Sequence, residues 1–156
     1  MPSISNFRTH VIDVTLTHPA ETFSAGDVIA ATQAVEVGPT TRQARGTINN
    51  IIVVDGNDLG KQFDIIFMEP NVSIGTEGSA ASISAADAAK VLTVVDSGIA
   101  YSDLGGAKVA QVSPFAPIPY NSPNSTIYVG AIARESATHG STDSLKLRFF
   151  ISIENS

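Results

Sequence analysis

From Ser144 to Glu154 the chain reads SLKLRFFISIE, in which Leu145, Leu147, Phe149, Ile151 and Ile153 alternate with Lys146, Arg148, Phe150, Ser152 and Glu154. Alternation over that length is the period of a half-buried β-strand. The stretch VIDVTLT at 11–17 has the same pattern, with Ile12, Val14 and Leu16 on one face and Asp13 and Thr15 on the other. Two long half-buried strands at the ends of a small β domain often lie side by side. Shorter runs rich in Val, Ile and aromatics lie between them, at 27–37, 48–55, 63–69, 107–112 and 126–133. Gly, Pro, Asn or Asp bounds most of these runs. The early one, DVIAATQAVEV, divides in two around ATQA on one reading. So many short strands predict a mostly β chain, a single-domain antiparallel β-sandwich or barrel over 1–156, with residues 1–6 a candidate N-terminal arm.

Two segments depart from the strand pattern. In SISAADAAKVLTVVDSG, Ala88, Val91, Leu92 and Val95 fall at i, i+3, i+4 and i+7, which predicts one short α-helix over about residues 84–95. Ser84 is placed to cap it, Asp87 to favour its N-terminal dipole, and Gly98 to end it. The second segment, SPFAPIPYNSPNS at 113–125, holds Pro114, Pro117, Pro119 and Pro123. Proline cannot donate to a β-ladder, so this segment is expected to be a rigid Pro-rich loop, or else an extended arm that docks on a neighbour.

Composition narrows what such a domain does. Charged residues make up 15% of the 156 residues, well below the roughly 25% of an average soluble domain. The exterior must therefore be built largely of Ser, Thr, Asn, Gly and small apolar groups, a surface suited to contact with other proteins. The net charge is −6, and neither Arg42 with Arg45 nor Lys146 with Arg148 forms a cationic stripe, so nucleic acid is not an expected partner. The chain has no cysteine, which removes disulfides, thiol catalysis and Cys-based zinc sites. The start MPSISNFRTH lacks the pattern of a signal peptide, and no apolar run approaches a membrane span; folding in a cytoplasm and no membrane partner are the expectations.

The candidate chemistry is sparse. DGNDLG at 55–60 places Asp55, Asn57 and Gly60 as a calcium loop would, but Leu59 and Ile66 stand where ligands are needed. Turn chemistry accounts for all six residues as the bend of a β-hairpin. Asp55 and Asp58 are then expected to face water, so replacing both with Ala should change stability little. GTEGSAAS and LGGAK lack the spacing of phosphate-binding loops. His10, His18 and His139 have no metal-site spacing, and a triad of His10, Asp13 and some serine is an arrangement any Ser-rich chain allows. No catalytic, cofactor-binding or metal-ligating residue is predicted, no cofactor is expected, and the chain is not expected to be an enzyme.

The order of FSAGDVIA, the 51–95 stretch beginning IIVVDGNDLG, YSDLGGAKVAQV, the Pro-rich break, TIYVGAIA and the closing strand resembles small virion structural proteins of tailed bacteriophages. In particular it resembles capsid decoration (cement) proteins. The resemblance implies a non-enzymatic protein on the outer surface of the capsid, made in the host cytoplasm. Such a protein binds the major capsid protein of its own virion and stabilises capsomer contacts; self-association as a symmetric dimer or trimer is expected from the low-charge, small-residue surface. The resemblance also implies where contact occurs: the terminal strands and the proline segment, through Phe7, Arg8, Pro114, Phe115, Pro117, Pro119, Tyr120 and Phe150. Phe150, an aromatic on the polar side of its strand, is either covered by the helix or an interface anchor. A phage tail, head-fibre or host-binding module is the alternative function. A small hydrolase or carbohydrate-binding accessory domain is a third.

Overall fold

The computed structural model describes residues 7–38, 43–97, 100–112 and 117–154. The strands are β1 (Phe7–Thr15), β2 (Thr22–Phe23), β3 (Val28–Glu36), β4 (Ala44–Asp55), β5 (Phe63–Met68), β6 (Val91–Asp96), β7 (Ser102–Asp103), β8 (Lys108–Val112), β9 (Ile118–Ser122), β10 (Thr126–Ala133), β11 (Ala137–Thr138) and β12 (Leu145–Glu154), with one helix, α1 (Ala85–Ala88). All strand pairs are antiparallel. The first sheet runs β1-β12-β4-β8-β7, with β9 also on β4, and the second runs β3-β10-β5-β6; β2 and β11 form a small ribbon. The terminal strands do lie side by side, with Phe7 opposite Glu154 and Thr15 opposite Lys146.

The main core fills the space between the two sheets. Val14, Leu16, Ile48, Ile51, Val53, Leu147, Phe149 and Ile151 from the first meet Val35, Phe63, Ile65, Phe67, Ile127 and Val129 from the second. Phe67 and Phe149 touch across the layers with ring centroids 5.4 Å apart. The arrangement is the sandwich that the alternating pattern predicts, because each strand buries one face against the opposite sheet.

The outer faces of the two sheets are treated differently. A second cluster of Val28, Ile66, Met68, Val72 and Ile74 lies on the far side of the second sheet. The chain after β5 straps over that face. Gly78 N–H donates to Val28 O and Val28 N–H to Ser79 O, both at 2.9 Å, and Thr32 Oγ1 donates to Val72 O at 2.5 Å. This explains why β5 is buried on both faces. The first sheet has no such strap among the described residues, and its outer face meets solvent.

Four expectations are corrected. The helix is a single turn, Ala85–Ala88, with none of its residues buried, and Val91–Asp96 is strand β6 paired with β5. Ser84 does cap the turn, accepting the Asp87 N–H at 3.1 Å, but Gly98 lies outside the described residues. The helical spacing of Val91, Leu92 and Val95 gave way because Val91, Thr93, Val94 and Val95 are β-branched and β5 offered an unpaired edge. The second correction concerns DGNDLG, which is no hairpin: β4 and β5 belong to different sheets, so the turn carries the chain from one layer to the other. Third, the Pro-rich segment is not a loop throughout, since Ile118–Ser122 forms β9 on β4. Pro119 is tolerated there because β9 is laddered to β4 alone, which leaves one side where no N–H is needed. Finally, β3 runs unbroken through ATQA.

Candidate functional site

The outer face of the first sheet is built by the alternate residues of β1, β12, β4 and β8 that the core does not use. Register sets Val11 beside Phe150, Asp13 beside Arg148 and then Ile52, and Thr15 beside Lys146, Val54 and then Val109. Val11, Phe150, Ile52, Val54 and Val109 thus make an apolar diagonal across four strands. Val11 is 52% exposed and the others are half-buried. An open groove of about 440 Å³ runs along this face, with Ile52, Val54, Phe150, Lys146 and the Asp13–Arg148 pair in its lining. Arg148 Nε donates to Asp13 Oδ1 at 2.7 Å. That hydrogen bond holds the Asp13 carboxyl below the usual carboxylate range and raises Arg148, so the pair stays ionised and mutually neutralised across ordinary pH.

The buried polar side chains around the β4–β5 turn are committed to structure. Asp55 is 1% exposed, which corrects the expectation that it faces water. Its Oδ1 accepts the Asn57 N–H at 3.0 Å, and its Oδ2 accepts the N–H groups of Leu59 and Gly60 at 3.1 and 2.8 Å. Beside this turn lie His18 and His139, both buried, with ring centroids 5.0 Å apart. His18 Nε2 accepts the Ser144 N–H at 2.9 Å, which leaves Nδ1 to donate to Pro19 O, also at 2.9 Å. Asn57 Nδ2 donates to Ser144 Oγ at 2.6 Å and to His139 Nδ1 at 3.2 Å. These bonds fasten the β4–β5 crossover to the ends of β1 and β12. Among the described residues, no three His, Asp or Glu side chains gather as a metal site.

Burial, and then the neighbouring His18, holds the His139 pKa below the usual imidazole value, although the Asp55 carboxylate pulls the other way. As pH falls through the ordinary histidine value of about 6.5, the unfolded chain takes up a proton that folded His139 still refuses. Stability is therefore full above that pH. Below it, stability declines by up to about 1.4 kcal/mol per pH unit for this one proton, until folded His139 also protonates. Chemical denaturation at pH 7.5, 6.5 and 5.5 should show this decline. The slope should flatten in His139→Phe, which keeps an aromatic ring against Phe23 and leaves Asn57 its Ser144 partner. An unchanged slope in that variant would assign the acid sensitivity elsewhere.

The expected contact residues are scattered. Phe150 stands on the open face and lines the groove with β1 and β4 residues. Pro117 and Pro119 are exposed at the start of β9. Phe7 and Arg8 begin β1, the outermost strand of the same sheet. Pro114 and Phe115 lie outside the described residues. Tyr120 is a correction: it is 3% exposed in the main core, and its hydroxyl donates to Val37 O at 3.2 Å. Burial pushes its pKa up to about 12. Its place follows from β9 being a strand, which turns Ile118, Tyr120 and Ser122 inward and Pro119 outward. Ile52 and Val54 were missed because IIVV is apolar on both faces and reads as a wholly buried run.

No family model matches the chain, and no curated protein matches its sequence. Solved structures with a similar layout include the virus-like particle of the extra small virus of the giant freshwater prawn Macrobrachium rosenbergii, at 11% identity and TM-score 0.42, covering 100% of this chain and 84% of that one. The capsid of Ralstonia phage GP4 aligns at 18% identity and TM-score 0.43, over 100% of this chain and 90% of that one. Desmodium yellow mottle tymovirus aligns at 12% identity and TM-score 0.38, over 98% and 90%. All three TM-scores lie below 0.5, a range in which likeness of layout carries no claim about function.

Proposed function

We propose that this chain is a non-enzymatic virion structural protein that decorates the assembled capsid and clamps adjacent capsomers of its major capsid protein. The observation that carries the reading is the contrast between the two sheets. The chain's own strap covers Val28, Ile66, Met68, Val72 and Ile74 on the second sheet and leaves Val94 at its β6 edge exposed, while the first sheet has an apolar diagonal open across four strands beside a neutralised ion pair. Such a face suits protein contact, because apolar side chains supply the binding energy while the charges, the Asp13–Arg148 pair and Lys146, lie beside the apolar diagonal. The polar side chains buried around the β4–β5 turn, Asp55, His18, His139 and Ser144, hold loops in place. The resemblance of its motif order to capsid decoration proteins supports the same reading.

On this reading Phe150 anchors the contact, and the starts of β1 and β9 extend it through Phe7, Arg8, Pro117 and Pro119, with Pro114 and Phe115 nearby in sequence. Phe150→Ser should weaken co-sedimentation with empty shells at least about tenfold, as hot-spot truncations do. Its melting temperature should move only slightly, since the ring sits outside the core. Cryo-electron microscopy of particles with and without the chain should place the first sheet against the shell. Shell binding unaffected by Phe150→Ser, a first sheet turned to solvent on the particle, or binding to host-cell glycans instead of shells would each overturn the reading.

A further inference from the structure

Strand β1 is the edge of the open sheet, and the direction of its backbone groups can be read from one bond. Leu16 N–H donates to Leu145 O at 2.9 Å, so residues of even number along β1 aim their N–H and C=O at β12. Thr9, Val11 and Asp13 therefore aim theirs outward. Further along, the outward groups already have partners: Gln33 Nε2 donates to Thr15 O at 2.9 Å, and Gln33 Oε1 accepts the Thr17 N–H at 3.0 Å. A side-chain amide from β3 thus imitates the next strand and stops the open edge at Asp13. The corresponding edge of the second sheet is partly closed too, since Ala31 N–H donates to the Glu77 carboxylate at 3.2 Å.

We propose that two copies of this chain pair antiparallel along β1 about a two-fold axis at Val11, joining their first sheets into one. In this register Val11 faces Val11 of the second copy, Thr9 faces Asp13, and His10 faces Ile12. Three outward residues per copy exchange about six backbone hydrogen bonds. The pairing is self-complementary, as a two-fold interface requires. No carboxylate meets another: Asp13 meets a hydroxyl and remains bonded to its own Arg148. The side chains across the junction read Phe150, Val11, Val11, Phe150, so Val11, 52% exposed in one copy alone, is covered and the apolar diagonals of the two copies become continuous. Sliding one way sets His10 against His10. Sliding the other way sets Asp13 against Val11 and demands the Thr15 carbonyl that Gln33 holds. The inference does not depend on the virion reading, and its test involves no capsid.

Sedimentation velocity from about 1 to 100 μM should show a reversible dimer, within the usual range of specific protein association. Val11→Lys places two ammonium groups face to face and should weaken the dimer at least tenfold. Val11→Pro removes only an outward N–H, a loss that edge strands tolerate, and should do the same. Both should keep the far-ultraviolet circular dichroism of the parent. Because the chain has no cysteine, Val11→Cys supplies a lone thiol opposite itself at a Cα spacing of about 5.5 Å, within the range of a disulfide. Mild oxidation should convert it to a covalent dimer that melts as the parent does, and Thr9→Cys should cross-link far more slowly. A monomer throughout that concentration range, a dimer indifferent to Val11→Lys, or equal cross-linking at positions 9 and 11 would overturn the proposal. Should both Val11→Lys and Val11→Pro fail to fold, the cysteine pair decides alone.

Discussion

Asp55→Ala should lower the melting temperature by about 10 °C, corresponding to about 3–4 kcal/mol in a domain of this size. The carboxylate accepts three backbone N–H groups of the turn that follows it, from Asn57, Leu59 and Gly60. Hydrogen bonds to a charged group contribute about 1.5–3 kcal/mol each, and truncation strands all three donors in a buried place. The effect is amplified by where the turn lies. It is the crossover between the layers, and Asn57 ties it to Ser144 and His139, while Gly56 N–H donates to Ser144 O at 2.9 Å. Asp58 is the control. It sits at φ 58°, a conformation that Asn also adopts without much cost, and its Oδ1 lies 3.7 Å from Lys108 Nζ without a hydrogen bond. Asp58→Asn should therefore stay within about 0.5 kcal/mol of the parent. Calcium chelators should leave every melting temperature unchanged, because both Asp55 oxygens are already occupied by N–H donors. A mild Asp55→Ala phenotype would restore the view of DGNDLG as a solvent-facing bend.

The strands were legible in the sequence because most of them alternate, and alternation has one physical cause, a sheet with one face in the core. β12 shows it over its whole length, and β1 answers with the same period. Less legible was anything that depends on which strand becomes whose neighbour. DGNDLG has turn chemistry whether it closes a hairpin or crosses between layers, and only the pairing of β4 with β8, β9 and β12 distinguishes the two. The helix prediction failed where two periods fit the same residues; the unpaired edge of β5 then decided for β6. For the candidate site, Phe150 announced itself by breaking an alternation. Ile52 and Val54 could not, since a strand with apolar residues on both sides looks the same whether its second face is covered by a strap or left open. Tyr120 was misplaced for a similar reason: prolines on either side of it suggest a loop, but an edge strand accepts Pro119 and buries its neighbours.

Gly46→Ala is expected to cost about 3 kcal/mol or more, at the upper end of overpacking changes and equivalent to a fall of about 10 °C in melting temperature. Gly46 lies in β4 between two partners, opposite Ile153 of β12 and opposite Tyr120 of β9. The Tyr120 ring crosses over it to reach Val37 O. A Cβ added to Gly46 would stand 2.6 Å from the Tyr120 hydroxyl and 2.9 Å from Cζ, and would press on the Ser152 carbonyl oxygen. None of these is the loose end of a flexible side chain. Ser152 O belongs to the β12 backbone, and the ring is wedged in the core among fully packed neighbours. Relief therefore requires β4 to part from β12 or from β9. Tyr120→Phe alone should cost about 1 kcal/mol, since it removes one buried hydrogen bond and leaves the ring. Combining the two changes should recover little, because the Cζ and Ser152 contacts persist without the hydroxyl. Thermal melting of the two single variants and the double variant decides it. If Gly46→Ala melts within about 2 °C of the parent, less than 1 kcal/mol separates them and the ring cannot be packed on the glycine as described.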